Sequence, residues 1–344
     1  MKAVVKLSRG KGNMSLMEVD KPLCGEDDVV IRVKAVGVCG TDYHIYTDEY
    51  ATTPPIAVGH EFSGEIVEVG GKVKGLTVGD RVVSELSVES CGVCRLCKTG
   101  NPHMCPHRRS PGTFTDGAYA EYIKLPWRLI HKIPDNVSFD EAAVAEPSAV
   151  VAQGLLERAR VEPEDFVVVM GPGPIGLLAL QMAKLYGAKA VMVVGTDADE
   201  RVRLPLARKL GADHVVNASK EDVVERVLGL TEGFGADLVM ECSGSRQAIN
   251  AGIKALRRQG RMGVIGIPGP EELNVNWKEA VLKAINVVFS FASSPLSWNM
   301  VLSMLGRKVL DVNSLISHRE PLENWQKVFE EIEKGNVVKA VLYP

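Results

Sequence analysis

Four cysteines in one short stretch are the residues of this chain whose spacing most narrows its chemistry. Cys91, Cys94, Cys97 and Cys105 lie in the stretch CGVCRLCKTGNPHMC, with the spacing C-x2-C-x2-C-x7-C. Four thiolates brought together in this way can surround one ion tetrahedrally, as in a closed structural zinc site. We therefore predict that these four side chains bind a structural Zn²⁺.

Two other kinds of cysteine cluster are compatible with part of this pattern. In a disulfide knot, three cysteines spaced three residues apart would pair poorly within the separations that a disulfide allows. An iron–sulfur cluster also uses closely spaced cysteines, and Pro106 follows Cys105 as proline often does in such clusters. The spacing differs from the usual iron–sulfur runs, so zinc is the prediction and iron–sulfur the alternative.

The segment GPGPIG, residues 171–176, has the G-x-G-x-x-G form typical of a dinucleotide-binding turn. It follows an apolar run at residues 167–170 and precedes the helical pattern LLALQMAKLYGA. Glycines at such a turn let the backbone approach a pyrophosphate, which then sits at the helix N-terminus. We predict that the turn binds a dinucleotide through Gly171, Gly173, Pro174 and Gly176. A sheet of the same type without a bound dinucleotide is the alternative.

An acidic residue follows the next predicted strand, in VMVVGTD. Asp197 at this place would accept hydrogen bonds from both hydroxyl groups of the adenosine ribose. A carboxylate also repels a 2′-phosphate, so we expect NAD as the cofactor. Arg201 and Arg203 follow closely and leave NADP as the alternative.

The secondary structure that the sequence predicts around these residues changes near residue 150. The first 125 residues contain short β-type runs separated by glycine, proline and aspartate, which predicts a small all-β barrel or sandwich. From about residue 150, apolar strands alternate with helical patterns, the last of them AINAGIKALRRQG before a strand at residues 261–267. This alternation predicts βαβ units and a parallel sheet covered on both faces. The last 45 residues lack it, and we expect them to pack on the first domain.

Composition bounds the class of protein. A chain of 344 residues predicts two domains of ordinary size, and 46% hydrophobic with 24% charged residues is typical of a soluble protein with a proper core. A net charge of −3 gives no basic field for nucleic acid or an anionic membrane. The uncharged run at residues 166–183 is as long as a membrane span, but its glycines and prolines favour strand, turn and helix.

The N-terminal sequence MKAVVKLSRGKG has no apolar stretch of the kind found in secretion signals. We therefore expect the protein in the cytoplasm. Seven cysteines fit that reducing compartment, where clustered thiols stay free to bind metal.

A second set of metal-binding residue types is scattered over the chain. Cys39 lies in VGVCGTDYH, His60 and Glu61 in VGHEFSG, and Glu146 in AVAEPSAV. Cysteine, histidine and carboxylate can form a three-ligand zinc site whose fourth position stays open for water or substrate. Taken singly, each has a structural explanation, such as burial of Cys39 as a small hydrophobic residue.

Several motifs, in order along essentially the whole chain, resemble those of the zinc-containing medium-chain dehydrogenases. The motifs are CGTDYHIY, GHEFSGEIVEVG, VGDRV, the four-cysteine stretch, DGAYAEY, AEP and GPGPIG. The resemblance implies a GroES-like β-barrel catalytic domain in residues 1–150 and 296–344, with a structural zinc lobe at about residues 88–108. It implies a Rossmann domain, with its doubly wound parallel sheet, in residues 151–295.

The same resemblance implies the ligands of a catalytic zinc in the cleft between the domains. These ligands are Cys39, His60 and Glu61, while Glu146 either takes the fourth position or hydrogen-bonds the water there. The structural zinc falls on the four clustered cysteines. Family members with two zinc ions often assemble as homotetramers, so we expect a tetramer here.

Roles in proton transfer and cofactor binding are also implied by the resemblance. Thr41 matches the hydroxyl that takes the substrate proton, and His44 can pass that proton to solvent. The structural alternative for Thr41 is that it caps a helix beginning at TDYH. Cys242 is expected to border the cofactor, with a buried thiol of no role as the alternative. The other matching cofactor positions are Ile175, Arg203, Ile265, Gly266, Ile267 and Phe291.

The triplet GHE and the motif AEP separate the chain from dehydrogenases whose catalytic zinc has two cysteine ligands. They resemble the branch of polyol (sorbitol-type) and L-threonine 3-dehydrogenases. The runs TDEYATTP, EPSAVV and GTDADE depart from the threonine enzymes, which favours a polyol, sugar or cyclitol, with L-threonine as the alternative. A non-enzymatic alternative is that the chain is a crystallin-like relative, which would bind zinc and NAD without turning over any alcohol.

Overall fold

The computed structural model describes residues 1–269 and 271–344. They divide into two units. The first unit comprises Met1–Glu146, Leu302–Gly306 and Ile316–Pro344, and the second comprises Pro147–Val301 and Arg307–Leu315. The first unit is therefore discontinuous in sequence.

The described residues contain sixteen strands and eleven α-helices. The strands are β1 Lys2–Lys6, β2 Met14–Glu18, β3 Asp28–Gly37, β4 Ile56–Ala57, β5 Glu61–Val69, β6 Arg81–Ser84, β7 Tyr122–Pro126, β8 Ile130–Lys132, β9 Phe166–Met170, β10 Ala190–Gly195, β11 His214–Asn217, β12 Ala236–Glu241, β13 Leu256–Val264, β14 Asn286–Phe289, β15 Ile316–Pro321 and β16 Lys339–Tyr343.

The helices are α1 Gly40–Thr47, α2 Arg95–Lys98, α3 Phe139–Ala143, α4 Ala145–Ala152, α5 Pro174–Leu185, α6 Arg203–Lys209, α7 Val223–Leu230, α8 Arg246–Ala255, α9 Trp277–Leu282, α10 Pro295–Gly306 and α11 Trp325–Glu333. A wider helical segment, Gln153–Ala159, continues α4, and single helical turns lie at Pro102–Met104, Trp127–Leu129, Asp197–Asp199, Asn313–Leu315 and Leu322–Asn324.

The first unit is built on two sheets, as predicted, but it is not all-β, because it also contains the helices α1, α2, α3 and α11. One has the strand order β2-β1-β4, and the other has the order β15-β16-β3-β5-β6-β8 with β7 also paired to β3. Strand β3 is rich in β-branched residues, which suit a pleated, buried surface, and its Val29 and Ile31 are fully buried. The core of this unit also contains Trp325 and Phe329 of α11.

The second unit is a six-stranded parallel sheet in the order β11-β10-β9-β12-β13-β14. This order starts in the middle of the sheet and proceeds outward in both directions, which is the doubly wound arrangement of dinucleotide-binding folds. Strand β9 is buried at every residue, as expected for a parallel strand covered on both faces. In such sheets ligands bind at the carboxyl ends of the strands, where the order reverses; here this point lies between β9 and β12.

One helix prediction in this unit is wrong. The pattern AINAGIKALRRQG was expected to be helical throughout, but α8 ends at Ala255 and β13 begins at Leu256. Leu256 is buried and pairs with Ala236 before a register shift in the strand pair. The tertiary pairing of β13 therefore overrides the helical pattern of these residues.

The long uncharged run forms β9, a glycine turn and the start of α5, as predicted. Within residues 1–269 and 271–344, none of the helices has both the length and the apolar character needed to span a membrane.

Candidate catalytic, metal and cofactor sites

The four clustered cysteines converge on one point. The Sγ atoms of Cys91, Cys94, Cys97 and Cys105 all lie within 4.8 Å of one another. Cys91 Sγ lies 3.6 Å from Cys105 Sγ and 4.0 Å from Cys97 Sγ. Four sulfurs bound tetrahedrally to zinc at about 2.3 Å would be separated by about 3.8 Å. All four thiols are free, and their arrangement fits a zinc ion.

Backbone N–H groups donate hydrogen bonds to sulfurs of this cluster. The N–H of Cys94 donates to Cys91 Sγ at 3.3 Å and the N–H of Cys97 donates to Cys94 Sγ at 3.4 Å, where α2 begins. The hydrogen bond from Cys94 is the main cause that lowers the pKa of Cys91 to about 6. Burial, the main cause, raises the pKa of Cys97 to about 11, and the neighbouring sulfurs raise it further. An ion would replace the proton on such a thiol, because the thiolate is the ligand.

The apolar side chains of this zinc lobe do not build a core. Val93 is 70% exposed and Leu96 is 37% exposed. These two side chains therefore contribute few apolar contacts to stabilise the loop, and we expect its shape to depend on the ion that the cysteines bind.

A second group of metal-binding side chains lies in the same unit. The ligand atoms of Cys39, His60 and Glu61 lie within 4.8 Å of one another, and His60 and Glu61 are buried. The pairing of β3 with β5 places Gly37 opposite Glu61. Cys39, two residues beyond Gly37 and next to the start of α1, is thereby brought beside the Glu61 carboxylate. The predicted ligand set is thus brought together by one strand pairing.

Gly37 has a specific steric function in this arrangement. A Cβ atom at this position would lie only 2.4 Å from Glu61 Oε2 and 3.3 Å from the carbonyl oxygen of Ala143. The absent side chain leaves the space that the Glu61 carboxylate occupies.

Asp42 orients two of the ligands, and the sequence analysis missed it. Its fully buried carboxylate accepts hydrogen bonds from the N–H of Cys39 at 2.9 Å and from the Tyr119 hydroxyl at 3.1 Å. Asp42 Oδ1 lies 3.5 Å from Nδ1 of His60. With Nδ1 facing a carboxylate, Nε2 is the nitrogen left for a metal ion. Burial opposes the charged form of His60, but Asp42 and Cys39 outweigh it and raise the histidine pKa.

Lys339 is the second residue that the sequence analysis missed. Its ammonium group forms an ion pair with Glu61 Oε2 and donates to the carbonyl oxygen of Val38 at 3.0 Å. Strand β16 brings it there by pairing Val341 with Gly37. Burial opposes its charge, but the Glu61 carboxylate outweighs that cost and raises the lysine pKa. Asp42, three residues after Cys39, could have been recognised from the sequence as a capping residue at the start of α1. No local sequence pattern indicates the role of Lys339.

Glu146 lies on α4 and is buried, with 6% of its surface exposed. It stands outside the group formed by Cys39, His60 and Glu61 among the described residues. Burial is the main cause that raises its pKa to about 7, with His60 acting in the opposite direction and Glu61 adding to the increase. Its role as a fourth ligand or as a hydrogen-bond partner of water near the ligands stays a prediction.

Thr41 and His44 both lie on α1. The residue that caps this helix is Cys39 rather than Thr41, so the capping alternative for Thr41 is wrong. Thr41 is half-buried within the first turn, and His44 is exposed with Nδ1 2.7 Å from Glu49 Oε2. Residues three apart on a helix are neighbours on its surface, which fits a path from a half-buried hydroxyl to solvent.

The predicted dinucleotide turn joins β9 to α5. Gly171 has φ +100°, and a Cβ atom on Gly176 would lie 1.9 Å from the Gly171 carbonyl oxygen. Pro174 is the first residue of α5, where its missing N–H costs no hydrogen bond. A side chain added at Gly173 would meet nothing within 4 Å. The turn therefore offers open backbone at a helix N-terminus, which fits a pyrophosphate.

A cavity of about 1000 Å³ lies at the carboxyl ends of β9, β10 and β12. Gly171 and Pro172 of the turn line it, together with Thr196, Asp199 and Ser243. A concave site of this volume and position is typical of a bound cofactor.

The remaining predicted cofactor residues lie around this region but do not line the cavity. Asp197 is exposed, and its Oδ1 accepts a hydrogen bond from Nδ2 of Asn217 at 2.8 Å. Arg203, at the start of α6, pairs with Asp199 at 3.1 Å. Burial raises the pKa of the Cys242 thiol far above its ordinary value, and its place beside the cofactor stays a prediction. Ile175 belongs to α5; Ile265, Gly266 and Ile267 follow β13, and Phe291 follows β14.

Two family models match the chain. The model of the alcohol dehydrogenase GroES-like domain matches residues 25–135, and the model described as zinc-binding dehydrogenase matches residues 174–307. The sorbitol dehydrogenase of Halalkalibacterium halodurans is 39% identical over 100% of this chain and 99% of its own length. The D-arabitol-phosphate dehydrogenase of Enterococcus avium is 36% identical over 99% of this chain and 97% of its own length.

Two further similarities bear on substrate and cofactor. The L-threonine 3-dehydrogenase of Shewanella putrefaciens is 36% identical over 99% of both chains. The crystal structure of a zinc-binding dehydrogenase from Sinorhizobium meliloti, bound to NADP, has a TM-score of 0.93 at 29% identity, covering 100% of this chain and 99% of that one.

The chain belongs to the zinc-containing medium-chain dehydrogenases, in the branch that includes polyol and L-threonine dehydrogenases. It is a zinc-dependent, NAD(P)-linked alcohol dehydrogenase with a GroES-like unit and a Rossmann unit. The expected family, fold class and type of enzyme are confirmed.

Proposed function

We propose that the protein oxidises a secondary hydroxyl group of a polyol, sugar or cyclitol and transfers the hydride to NAD. The observation that carries this proposal is the group of Cys39, His60 and Glu61, whose ligand atoms lie within 4.8 Å of one another. Three protein ligands leave a position open for a substrate oxygen, as in catalytic zinc sites. The similarity to a sorbitol dehydrogenase and a D-arabitol-phosphate dehydrogenase supports a polyol substrate.

The residues present fit both cofactors. Zinc bound by Cys39, His60 and Glu61 supplies Lewis acidity that makes an alcohol oxygen easier to deprotonate. NAD supplies the hydride acceptor. The chain itself supplies orientation, charge and a route for the proton.

Two buried residues hold the ligands in place. Asp42 Oδ1 faces Nδ1 of His60 at 3.5 Å, which leaves Nε2 as the nitrogen for the ion. Lys339 pairs with Glu61 and balances its negative charge in a buried environment.

We assign the proton route to α1. Thr41 Oγ1 accepts the proton of the substrate hydroxyl, and His44, on the neighbouring surface of the helix, delivers it to solvent. Glu49, 2.7 Å from Nδ1 of His44, stabilises the protonated ring during transfer. Glu146, buried near the ligands, is proposed to hold a water molecule there rather than to bind the ion directly.

For the cofactor, we propose that the GPGPIG turn binds the pyrophosphate through Gly171, Gly173, Pro174 and Gly176. The positions that the family implies as further contacts are Ile175, Arg203, Ile265, Gly266, Ile267 and Phe291, and Cys242 is a further candidate because it follows the end of β12.

L-Threonine is the second candidate substrate, because a threonine 3-dehydrogenase is 36% identical over 99% of the chain. The deciding experiment measures initial rates of NADH and NADPH formation with polyols, inositols, sugar acids and L-threonine. NAD-linked turnover of a polyol or cyclitol with L-threonine inert is expected. A clear preference for L-threonine would refute the substrate class and leave the zinc chemistry intact, and no turnover of any alcohol would refute the catalytic assignment.

We also propose that the protein is cytoplasmic and forms a homotetramer. Among the described residues, β14 pairs only with β13 and so forms an edge of the parallel sheet. Its Phe289 is 68% exposed. An open strand edge with an exposed aromatic residue is suited to pairing with a second copy of the chain.

A further inference from the structure

A fully buried acid ends the strand β12, and the chemistry proposed above does not use it. Glu241 is the last residue of β12 and is 0% exposed. The strand register pairs it with Met170, the residue before the dinucleotide turn, on one side and with Val264 on the other. Glu241 therefore lies at the edge of the parallel sheet where ligands bind, next to the point where the strand order reverses.

The loop that follows β12 holds the Glu241 carboxylate. Its Oε1 accepts hydrogen bonds from the N–H of Ser243 at 2.9 Å, from Ser243 Oγ at 2.5 Å and from the N–H of Gly244 at 3.0 Å. Its Oε2 lies 3.1 Å from the same N–H of Gly244. A Cβ atom on Gly266 would lie only 2.4 Å from Oε2, so this glycine leaves the room that the oxygen occupies. Donors alone surround the carboxyl group, which is the pattern for its ionised form.

The negative charge of Glu241 has no cationic partner in the part of the chain that the structure describes. Every donor to it is a neutral N–H or O–H group. The equally buried Glu61 differs, because it forms an ion pair with Lys339. Neutral dipoles stabilise a buried carboxylate without cancelling its charge, and charges interact over longer distances inside a protein than in water. The field of Glu241 therefore extends to groups that bind nearby.

The charge lies in the half of the sheet that would receive the nicotinamide. A doubly wound sheet contains two mononucleotide-binding halves, and the first half, which starts with β9, binds the adenosine. Strands β12, β13 and β14 form the second half. Ser243, which donates to Glu241, lines the cavity at this edge. The nicotinamide ring is cationic in NAD⁺ and neutral in NADH, so only the oxidised form is attracted by a negative charge.

We propose that Glu241 sets the relative affinity of the protein for the two oxidation states of its cofactor, by favouring the cationic nicotinamide of NAD⁺ over the neutral ring of NADH. The proposal deepens the NAD-linked function and rests on it. When the ring accepts a hydride, it loses its positive charge and the attraction to Glu241, which promotes release of NADH. If Glu241 only held the loop in shape, its loss would weaken both oxidation states equally.

The test titrates the zinc-loaded Glu241→Gln variant with NAD⁺ and with NADH by calorimetry or protein fluorescence. The quantity compared is the Kd for NADH divided by the Kd for NAD⁺. Glutamine keeps the size of the side chain and an acceptor for Ser243 but removes the charge, so this ratio should fall about fivefold or more. Glu232→Gln is the matched control. Glu232 is exposed in the turn after α7, where water and salt screen its charge, so the ratio should stay within about twofold.

Two charge-retaining variants keep the proposal testable if Glu241→Gln fails to fold, which its melting temperature shows. Ser243→Ala removes the hydroxyl that donates to Glu241 and leaves the carboxylate in place. One compensating dipole is then lost, so the preference for NAD⁺ should stay or increase even where both complexes weaken. Glu241→Asp also keeps the charge and should keep most of the preference. A fall of the ratio in Ser243→Ala to the value without a charge would overturn the proposal.

Equal weakening of NAD⁺ and NADH in Glu241→Gln would assign Glu241 a structural role alone, and an unchanged ratio would equally overturn the proposal. The same titrations with NADP⁺ and NADPH test Glu241 if the wild type prefers that pair, a preference that would refute NAD as the cofactor. Failure of the wild type to bind any of the four nucleotides would refute dinucleotide binding and this proposal together. A shifted ratio without turnover of any alcohol would refute the proposed reaction and leave the role of Glu241 intact.

Discussion

The carboxylate of Glu61 forms an ion pair with the ammonium group of Lys339, and both side chains are buried, with exposed fractions of 1% and 2%. The two residues begin strands β5 and β16, which are far apart in sequence. Lys339 also donates to the carbonyl oxygen of Val38, the residue before Cys39. One cation therefore fixes the carboxylate of one metal ligand and the backbone next to another.

Replacing Lys339 by methionine should damage stability and zinc binding together. The substitution leaves Glu61 as a buried carboxylate without its counter-charge, which costs about 3 kcal/mol or more of unfolding free energy. Chemical denaturation of the zinc-free protein measures this cost. Lys334→Met is the matched control, because Lys334 is 59% exposed and pairs only at the surface with Glu331. Equal stabilities of the two variants would contradict the role assigned to Lys339.

Gly37→Ala should remove the catalytic zinc and spare the structural one. The new methyl group would lie 2.4 Å from Glu61 Oε2, so the carboxylate must move away from Cys39 and His60. Metal analysis after dialysis should give one zinc per chain in place of two, with activity lost. Gly71→Ala is the control, since a Cβ at Gly71 meets nothing within 4 Å. Retention of two zinc ions by Gly37→Ala would show that the space beside Gly37 is not needed.

Cys97→Ser should release the structural zinc and destabilise the zinc lobe. The exposed Val93 and Leu96 contribute little packing there, so the melting temperature should fall by about 5 °C or more. The loop between Cys91 and Cys105 should become sensitive to limited proteolysis. Cys24→Ser, which removes a free thiol outside both groups, should change neither property. An undiminished zinc content in Cys97→Ser would refute four-cysteine coordination.

The zinc-free protein should lose stability as the pH rises toward neutrality. Burial raises the pKa of Glu146 from 4.5 to about 7, so between these values the folded state binds more protons than the unfolded state. The contribution of Glu146 is therefore present below pH 4.5 and is lost as the pH rises to about 7, at a cost of about 3 kcal/mol over the interval.

Glu146→Gln should remove this part of the pH dependence, while Glu330→Gln, at an exposed position of α11, should not. Denaturation midpoints of the zinc-free variants between pH 5 and 8 provide the comparison. Parallel pH curves for Glu146→Gln and the wild type would contradict the raised pKa.

Phe289→Lys should dissociate the expected tetramer. A charged side chain at the open edge of β14 would disfavour pairing with a second copy of the chain. Light scattering coupled to size-exclusion chromatography gives the mass of each variant. Phe234→Lys is the control, because Phe234 is 76% exposed outside the strands. A wild-type monomer, or a Phe289→Lys tetramer, would refute assembly through this edge.

The sequence predicted the features that depend on local spacing. The four-cysteine cluster and the glycine turn are encoded within a few residues, and the structure places them as the spacing implies. Lys339 could not be predicted in this way, because its function arises from the pairing of β16 with β3. The role of Asp197 in binding the ribose stays a prediction, because it depends on how the helical turn Asp197–Asp199 meets a bound cofactor. The end of α8 was missed for the same reason as Lys339, since the pairing of β13 is a tertiary interaction.

The discontinuity of the first unit has a consequence for the protein during its synthesis. The ribosome delivers β3, β5 and β7 early, but β16, which pairs with Val36 and Gly37 at the end of β3, emerges only after the whole second unit. Until then the end of β3 lacks this pairing and the Glu61 carboxylate lacks Lys339, both of which favour aggregation or chaperone binding. The second unit is nearly continuous and can fold first. Assembly of the catalytic centre with its Lys339 ion pair is therefore a late event in synthesis, whereas the four-cysteine lobe has all of its ligands much earlier.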